Sequence, residues 1–304
     1  MSMDFRVGAV ELRIGTSGWN YPHWRNTFYP PKLTHRRQLE HLAGQMNTVE
    51  INGSFYSLQR PSSYRHWRAV TPDGFVLAVK GGKFITHNKK LIDARAPLAN
   101  FFASGPLALE EKLGPFLWQL PPVLRYRPER MEEFFSLLPT TVGSAGELAA
   151  ECDDRLLTRF RQDPVLITEV LPLDHRLRHV VEVRHESFVC DEFFDLCRRF
   201  GIAVVLADSA GLFPWIDRRT ASFRYVRLHG SQQLYVSKYS ESELDEWAER
   251  ISRWCAEPDL EAVYVYFDND FEANAGFDTL GLAARLKLPT SGLPPFAVAA
   301  SSMP

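Results

Sequence analysis

The chain has 304 residues, 45% hydrophobic and 24% charged, with a formal net charge of −2. This is the composition of an ordinary globular protein with enough chain for a self-sufficient core, in one large α/β domain or two small ones. The near-neutral balance gives no support to a non-specific nucleic-acid binder, though a local basic patch is compatible with it. No apolar run approaches the roughly 20 residues of a membrane span, and the start "MSMDFRVGAVELRI" lacks the basic-then-apolar layout of a signal peptide. The expected location is therefore cytoplasmic, with no membrane partner. Four cysteines, at 152, 190, 197 and 255, form no Cys-x-x-Cys pair and read as reduced thiols.

In chain order, eight strand-like runs stand out: "ELRIGTS" (11–17), "NTVEIN" (47–52), "FVLAVK" (75–80), "PFLWQL" (115–120), "VVEVR" (180–184), "IAVVLAD" (202–208), "FRYVRLH" (223–229) and "AVYVYFD" (262–268). Each is rich in β-branched, aromatic or leucine side chains. Helical patterns lie between most of them: "THRRQLEHLA", "SSYRHWRAV", "PERMEEFFSLL", "DEFFDLCRRF", "ESELDEWAERISRWC" and "ANAGFDTLGLAARL". The third crossover (81–114) is long and irregular, and the sixth (209–221) is too short for a good helix. The fourth (121–179) is the longest, with an extra helix expected around 147–161.

Eight repeats of strand then helix imply parallel strands with right-handed crossovers and predict a single-domain (β/α)8 TIM-like barrel. An open doubly wound sheet would place a Gly-x-Gly-x-x-Gly turn after its first strand, and "GTSGW" does not match it. The barrel is expected over 11–286, with an N-terminal extension at 1–10, an insert at 139–179 and a flexible tail at 287–304, where Pro and small residues prevail.

Alternation along each strand separates an aliphatic face, which packs under the helices, from a polar face that points into the barrel. Val181 and Val183 oppose Glu182 and Arg184; Val49 and Ile51 oppose Thr48, Glu50 and Asn52; Leu77 and Val79 oppose Lys80; Val226 and Leu228 oppose Arg227 and His229; Val265 and Phe267 oppose Tyr266 and Asp268. With Asp208, these ionisable residues crowd the C-terminal strand ends, the end at which barrels of this type carry their active sites. A neutralised internal ion network is the structural alternative. Apolar packing of the same volume is often at least as stable, which favours a functional pocket.

Blocks of the sequence also resemble a known family. "IGTSGWNYPHW…FYP", "NTVEINGSFY", "AVKGGKFITH", "KLGPFLWQLPP", "VEVRHESF", "YVRLHG" and "YVYFDNDFEANA" are similar, in order, to the signature blocks of the YecE-like family, named as domain of unknown function 72. The resemblance spans about residues 11 to 286. It implies a TIM-like barrel and no particular activity.

The expected ligand is small and anionic, a sugar phosphate or a nucleotide fragment, held by Lys80, Arg184 and Arg227. Trp19, Asn52, His185, His229 and Tyr266 complete the expected contacts, and "HGSQQ" offers the backbone N–H groups of Gly230 and Ser231. Rim aromatics, Tyr21, Trp24, Phe55 and Tyr56 among them, either stack on a sugar or base or simply pack the rim. Turnover, if present, is expected to be hydrolysis or other acid–base chemistry. Glu50 or Glu182 would act as base and Asp208 or Asp268 as second acid. Ser17 and Ser54 lie outside any Gly-x-Ser-x-Gly elbow. Two alternatives remain: a nucleic-acid or metabolite binder without turnover, and a metal-dependent endonuclease-like or isomerase-like enzyme using His185, His229, Glu182, Asp208 and Asp268. No cofactor and no metal are expected, since no His-x-x-x-His or Cys cluster occurs and three cations share the rim.

Overall fold

A computed structural model describes residues 5–154, 156, 158 and 168–289. The eight runs form β2 (Val10–Ser17), β3 (Thr48–Ile51), β4 (Val76–Lys80), β5 (Leu113–Gln119), β6 (His179–Glu182), β7 (Ala203–Asp208), β8 (Phe223–Leu228) and β9 (Ala262–Phe267). Each pairs in parallel with the next, and β9 pairs back onto β2, closing an eight-stranded barrel. A short β1 (Arg6–Val7), within the expected extension, runs antiparallel to β2. The floor of the barrel is plugged by Arg13, which stacks on Phe5 and donates to the carbonyl of Gly74 at 2.6 Å.

Helices α1 (Gln38–Ala43), α2 (Gly53–Tyr56), α3 (Pro61–Val70), α4 (Arg95–Ala103), α5 (Pro128–Leu137), α6 (Val142–Ala149), α7 (Asp191–Phe200), α8 (Glu241–Trp254) and α9 (Asn274–Arg285) surround the strands. Their apolar faces cover the outward set that alternation identified: Val49, Ile51, Leu77, Val79, Val181, Val226, Leu228, Val263 and Val265 belong to the main core. α8 opens on a capping box between Ser240 and Glu243. α7 ends at Gly201, whose φ of 64° suits the left-handed C-cap.

Three crossovers differ from the regular pattern. After β4 the chain makes a π-helical turn, Phe84–Asn88, before α4. Between β7 and β8 no helix forms, as the short spacing predicts. The insert's first helix, α6, begins before the expected 147–161 span; Asp154, Leu156 and Thr158 further along that span are helical, and 155, 157 and 159–161 lie outside the described residues. The buried Glu110 carboxylate ties the insert to the barrel by accepting from the backbone N–H groups of Glu169, Val170 and Leu171.

Inside the barrel, Ala78, Leu117, Val180, Val205, Tyr225, Tyr264 and Tyr266 form a second cluster below the rim. Gly15 faces this interior. A Cβ there would lie 1.9 Å from the Thr48 carbonyl oxygen, so the approach of β2 to β3 requires glycine. The interior is a packed tier of side chains, and the polar strand ends stand above it.

Candidate binding site at the barrel rim

Arg227, on β8, is the hub of the strand ends, with no exposure to solvent. Its Nε and Nη2 donate to the two oxygens of Glu50 at 3.2 and 2.9 Å, its Nη1 to Glu182 at 2.7 Å, and its Nη2 also to Asp268 at 2.9 Å and to the Ser17 hydroxyl at 2.7 Å. Glu50 receives two further hydrogen bonds, from Tyr225 at 2.6 Å and from Ser17. His229 Nδ1 lies 2.9 Å from Asp268. Five strands, β2, β3, β6, β8 and β9, thus converge on one guanidinium. Parallel register makes this geometry available: Ser17 faces Glu50 across β2 and β3, and Arg227 faces Tyr266 across β8 and β9.

Burial opposes ionisation of Glu182 and Asp268, but neighbouring cations more than offset it. Arg184 and Arg227 hold Glu182 well below the usual carboxylate range, and Arg227 with His229 does the same to Asp268. Burial disfavours the charged form of Arg227, yet Asp268, Glu50 and Glu182 keep it firmly protonated. Three carboxylates thus meet two guanidiniums, and with every nitrogen engaged Arg227 has no free face to offer a ligand.

A second layer lies above it. Lys80, 7% exposed, places its ammonium 4.6 Å from the centre of the Phe55 ring. Among the described residues no carboxylate comes within ion-pair distance of it and no acceptor within hydrogen-bond distance. Burial and the nearby charge of Arg227 lower its pKa to about 8, against the opposing pull of Glu50, Asp268 and Glu182. Arg184, just beyond β6, donates from Nε to Glu182 at 2.7 Å and from Nη2 to the Tyr235 hydroxyl at 3.3 Å. Its guanidinium stacks 4.2 Å above the ring of Phe213. Asn52 donates to Ser17, which leaves its buried Oδ1 without a partner, and His229 Nε2 is likewise buried without a hydrogen bond. Unsatisfied buried polar atoms are uncommon, and these two belong to residues bonded to the network itself, Asn52 to Ser17 and His229 to Asp268. His87, at the end of the π-helical turn, packs its ring edge-on against Phe55.

Several expected contact residues are engaged with other partners. Asp208 is on the outward face of β7, with Ala207 and Val205 inward, and accepts from the Tyr239 hydroxyl at 2.9 Å; burial raises its pKa. Tyr266 faces inward but one tier too deep, with no exposure and its hydroxyl 2.7 Å from that of Thr48. His185 turns its Nδ1 to the backbone N–H of Ser187 and caps the Glu186–Phe188 turn. Trp19 packs edge-on against Trp67 of α3, and Trp24 is fully buried, donating to the Asp270 carbonyl. The Gly230 N–H is spent on the Tyr239 hydroxyl, so it does not line an anion cradle. Among the described residues no three His, Cys, Asp or Glu side chains are disposed to share a metal ion. Sequence reasoning did not include Tyr235 or Phe213 among the contacts. Both come from loops after strands, where alternation carries no signal.

Comparison with known proteins agrees with this architecture. The family described as "Protein of unknown function DUF72" matches residues 13–301. The UPF0759 protein YunF of Bacillus subtilis is 22% identical over 308 residues, covering 93% of this chain and 98% of that protein. A DUF72 family crystal structure from Thermotoga maritima superposes with a TM-score of 0.70 at 23% identity, covering 91% of this chain and 99% of the other. One from Enterococcus faecalis gives 0.66 at 16% identity, covering 93% and 100%. The family resemblance carried by the sequence blocks holds across the chain, and the fold with it. No described helix is long and apolar enough to cross a membrane.

Proposed function

Given that the chain belongs to the DUF72 family, whose description names no reaction, we propose that the barrel rim binds a small anionic ligand, a sugar phosphate or nucleotide fragment, through Lys80 and Arg184. The observation that carries this reading is the Lys80 ammonium, nearly buried with no direct hydrogen-bond or ion-pair partner among the described residues, its charge offset only at longer range by Glu50, Asp268 and Glu182. A buried cation without a direct partner is costly, and a phosphate oxygen would supply one. Arg184 has donors beyond those given to Glu182 and Tyr235, and its stacking on Phe213 holds it in place. Arg227 is removed from the expected trio, because all three of its nitrogens are engaged with Glu50, Glu182, Asp268 and Ser17 and it has no solvent exposure. For acid–base chemistry on a bound ligand the rim offers Lys80 and the solvent-reached edge of Asp268. Glu50 and Glu182 have no solvent exposure, which argues against either as the working base.

Glucose 6-phosphate or inorganic phosphate should raise the melting temperature saturably, against sodium chloride at matched ionic strength. A ligand at a hundred times its Kd adds about 2.7 kcal/mol to the folded state. For a chain of this length that corresponds to a rise of roughly 5 °C. Lys80→Met and Arg184→Met should each abolish the rise. An equal rise in wild type and both variants would assign it to general salt stabilisation and sink the proposal.

A further inference from the structure

A groove beside the rim carries a charge that the balance of the whole chain conceals. It lies between the segment that follows β4 and the segment that joins β5 to α5, and has a volume of about 430 Å3. Lys89, Lys90, Arg125, Arg127 and Arg130 line it, with Ile92 and Val123 among the remaining wall, and no carboxylate does. Among the described residues, the one ion pair these five cations make is Lys89 with Asp93, at 3.9 Å, whose carboxylate is 81% exposed. Glu129 is the other acid nearby in sequence, and it is exposed on α5 between Arg127 and Arg130. Across α5, a separate cavity is lined by Glu132, Glu192 and Asp195, with Arg199 already paired to Glu132. Positive and negative charge are therefore sorted to opposite flanks of one helix.

The backbone supports the same site. Arg127 occupies the N-cap of α5 with no side-chain capping bond, which leaves the positive helix end beside three arginines. On the other wall, Lys90, Leu91 and Asp93 hold φ values of 50°, 70° and 48°, directly after the π-helical turn. Left-handed non-glycine residues and π-turns are both sparsely populated and concentrate at functional segments. Buried Leu91 pins this stretch while Lys90 stays exposed. Phe84, 58% exposed, stands on the turn that leads into the groove, and Val123 on the facing segment is 73% exposed.

We propose that this groove binds single-stranded nucleic acid, its phosphates held by Lys89, Lys90, Arg125, Arg127 and Arg130, with the ring of Phe84 as a stacking platform. Five cations with one weak internal partner exceed what a mono- or diphosphate neutralises, and an extended phosphodiester chain matches them. A basic track combined with exposed aromatic surface is the usual recipe for sequence-tolerant single-strand binding. A duplex keeps its bases stacked internally and would leave Phe84 unused.

The test is fluorescence anisotropy of the full chain with labelled dT12 and U12 across a salt series, with duplex DNA of the same length and polyglutamate as competitors. Log affinity should fall with log salt at a slope of about −3.5 for five contacts, given roughly −0.7 for each phosphate neutralised on a single strand. The double variant Arg125→Glu, Arg127→Glu should bind at least tenfold more weakly with a shallower slope. Phe84→Ala should weaken binding severalfold and leave the slope unchanged. All three positions are exposed, so unaltered melting curves should accompany these losses, and the double variant should keep the rim's response to sugar phosphate. Unchanged affinity in the double variant would overturn the assignment, as would a preference for duplex. Equal competition by polyglutamate would give the groove to an acidic polypeptide and would also overturn it.

Discussion

Arg227→Met is expected to cost roughly 3–5 kcal/mol of stability at pH 7, the penalty typical of breaking a buried ion pair from one side. For a chain of this length the melting temperature should fall by roughly 6–10 °C. The loss arises because Glu50, Glu182 and Asp268 all remain, carboxylates that the guanidinium alone joins. Its pH dependence has a defined sign. In the wild type the folded-state pKa values of Glu182 and Asp268 lie below their unfolded values. They therefore contribute stability that is fully present above the unfolded carboxylate range near pH 4 and is lost as the pH falls below it. Without Arg227, Asp268 loses its largest charge partner and burial raises its proton affinity, while Arg184 still holds Glu182, so the variant keeps less of the stability that the wild type loses as the pH falls. The gap between wild type and variant should then narrow from pH 7 to pH 4 in thermal melts. Adding Glu50→Gln and Asp268→Asn to Arg227→Met should recover part of the loss, because the uncompensated charge is gone. A gap that is constant with pH, or a triple variant weaker than the single, would remove Arg227 from the centre of the network.

The barrel and most of this network were legible because polar and apolar residues alternate cleanly on β3, β6, β8 and β9, and a parallel barrel converts that phase into inward and outward sets. "VEVRH" and "YVRLH" leave no ambiguity about where Glu182 and Arg227 point. "IAVVLAD" is apolar throughout, so its phase is not fixed by contrast, and Asp208 proves to be on the outer face with Leu206. Depth was the second hidden variable. Alternation gives a direction and no height, so Tyr266 and Lys80 looked equivalent although they lie on different tiers. It also could not divide the three rim cations into Arg227, which is fully engaged, and Lys80 and Arg184, which are not. The basic groove draws on residues 88–92 and 123–130, some thirty residues apart. A net charge of −2 averages them against acids on the far side of α5.

Lys80→Met is expected to stabilise the ligand-free protein at pH 7. Burial and Arg227 lower the Lys80 pKa from 10.5 to about 8 in the folded state. Each tenfold change in proton affinity is worth about 1.4 kcal/mol, so holding the ammonium in place costs the fold roughly 3 kcal/mol at neutral pH. Because the unfolded chain binds this proton more tightly, the penalty is fully present below pH 8, shrinks as the pH rises, and is gone above about 10.5. Methionine fills nearly the same volume over Phe55 and carries no such penalty, so the variant should melt higher than wild type at pH 7 by about 5 °C. That advantage should fade in denaturant unfolding measured between pH 8 and 10.5. A loss of stability at pH 7 would mean that Lys80 balances the carboxylates beneath it, which would make it part of the internal network and take it out of the ligand site. With sugar phosphate present the order should close or invert, since only the wild type gains from the ligand. A binding residue kept at the expense of stability is the arrangement in which a buried cation without a partner persists.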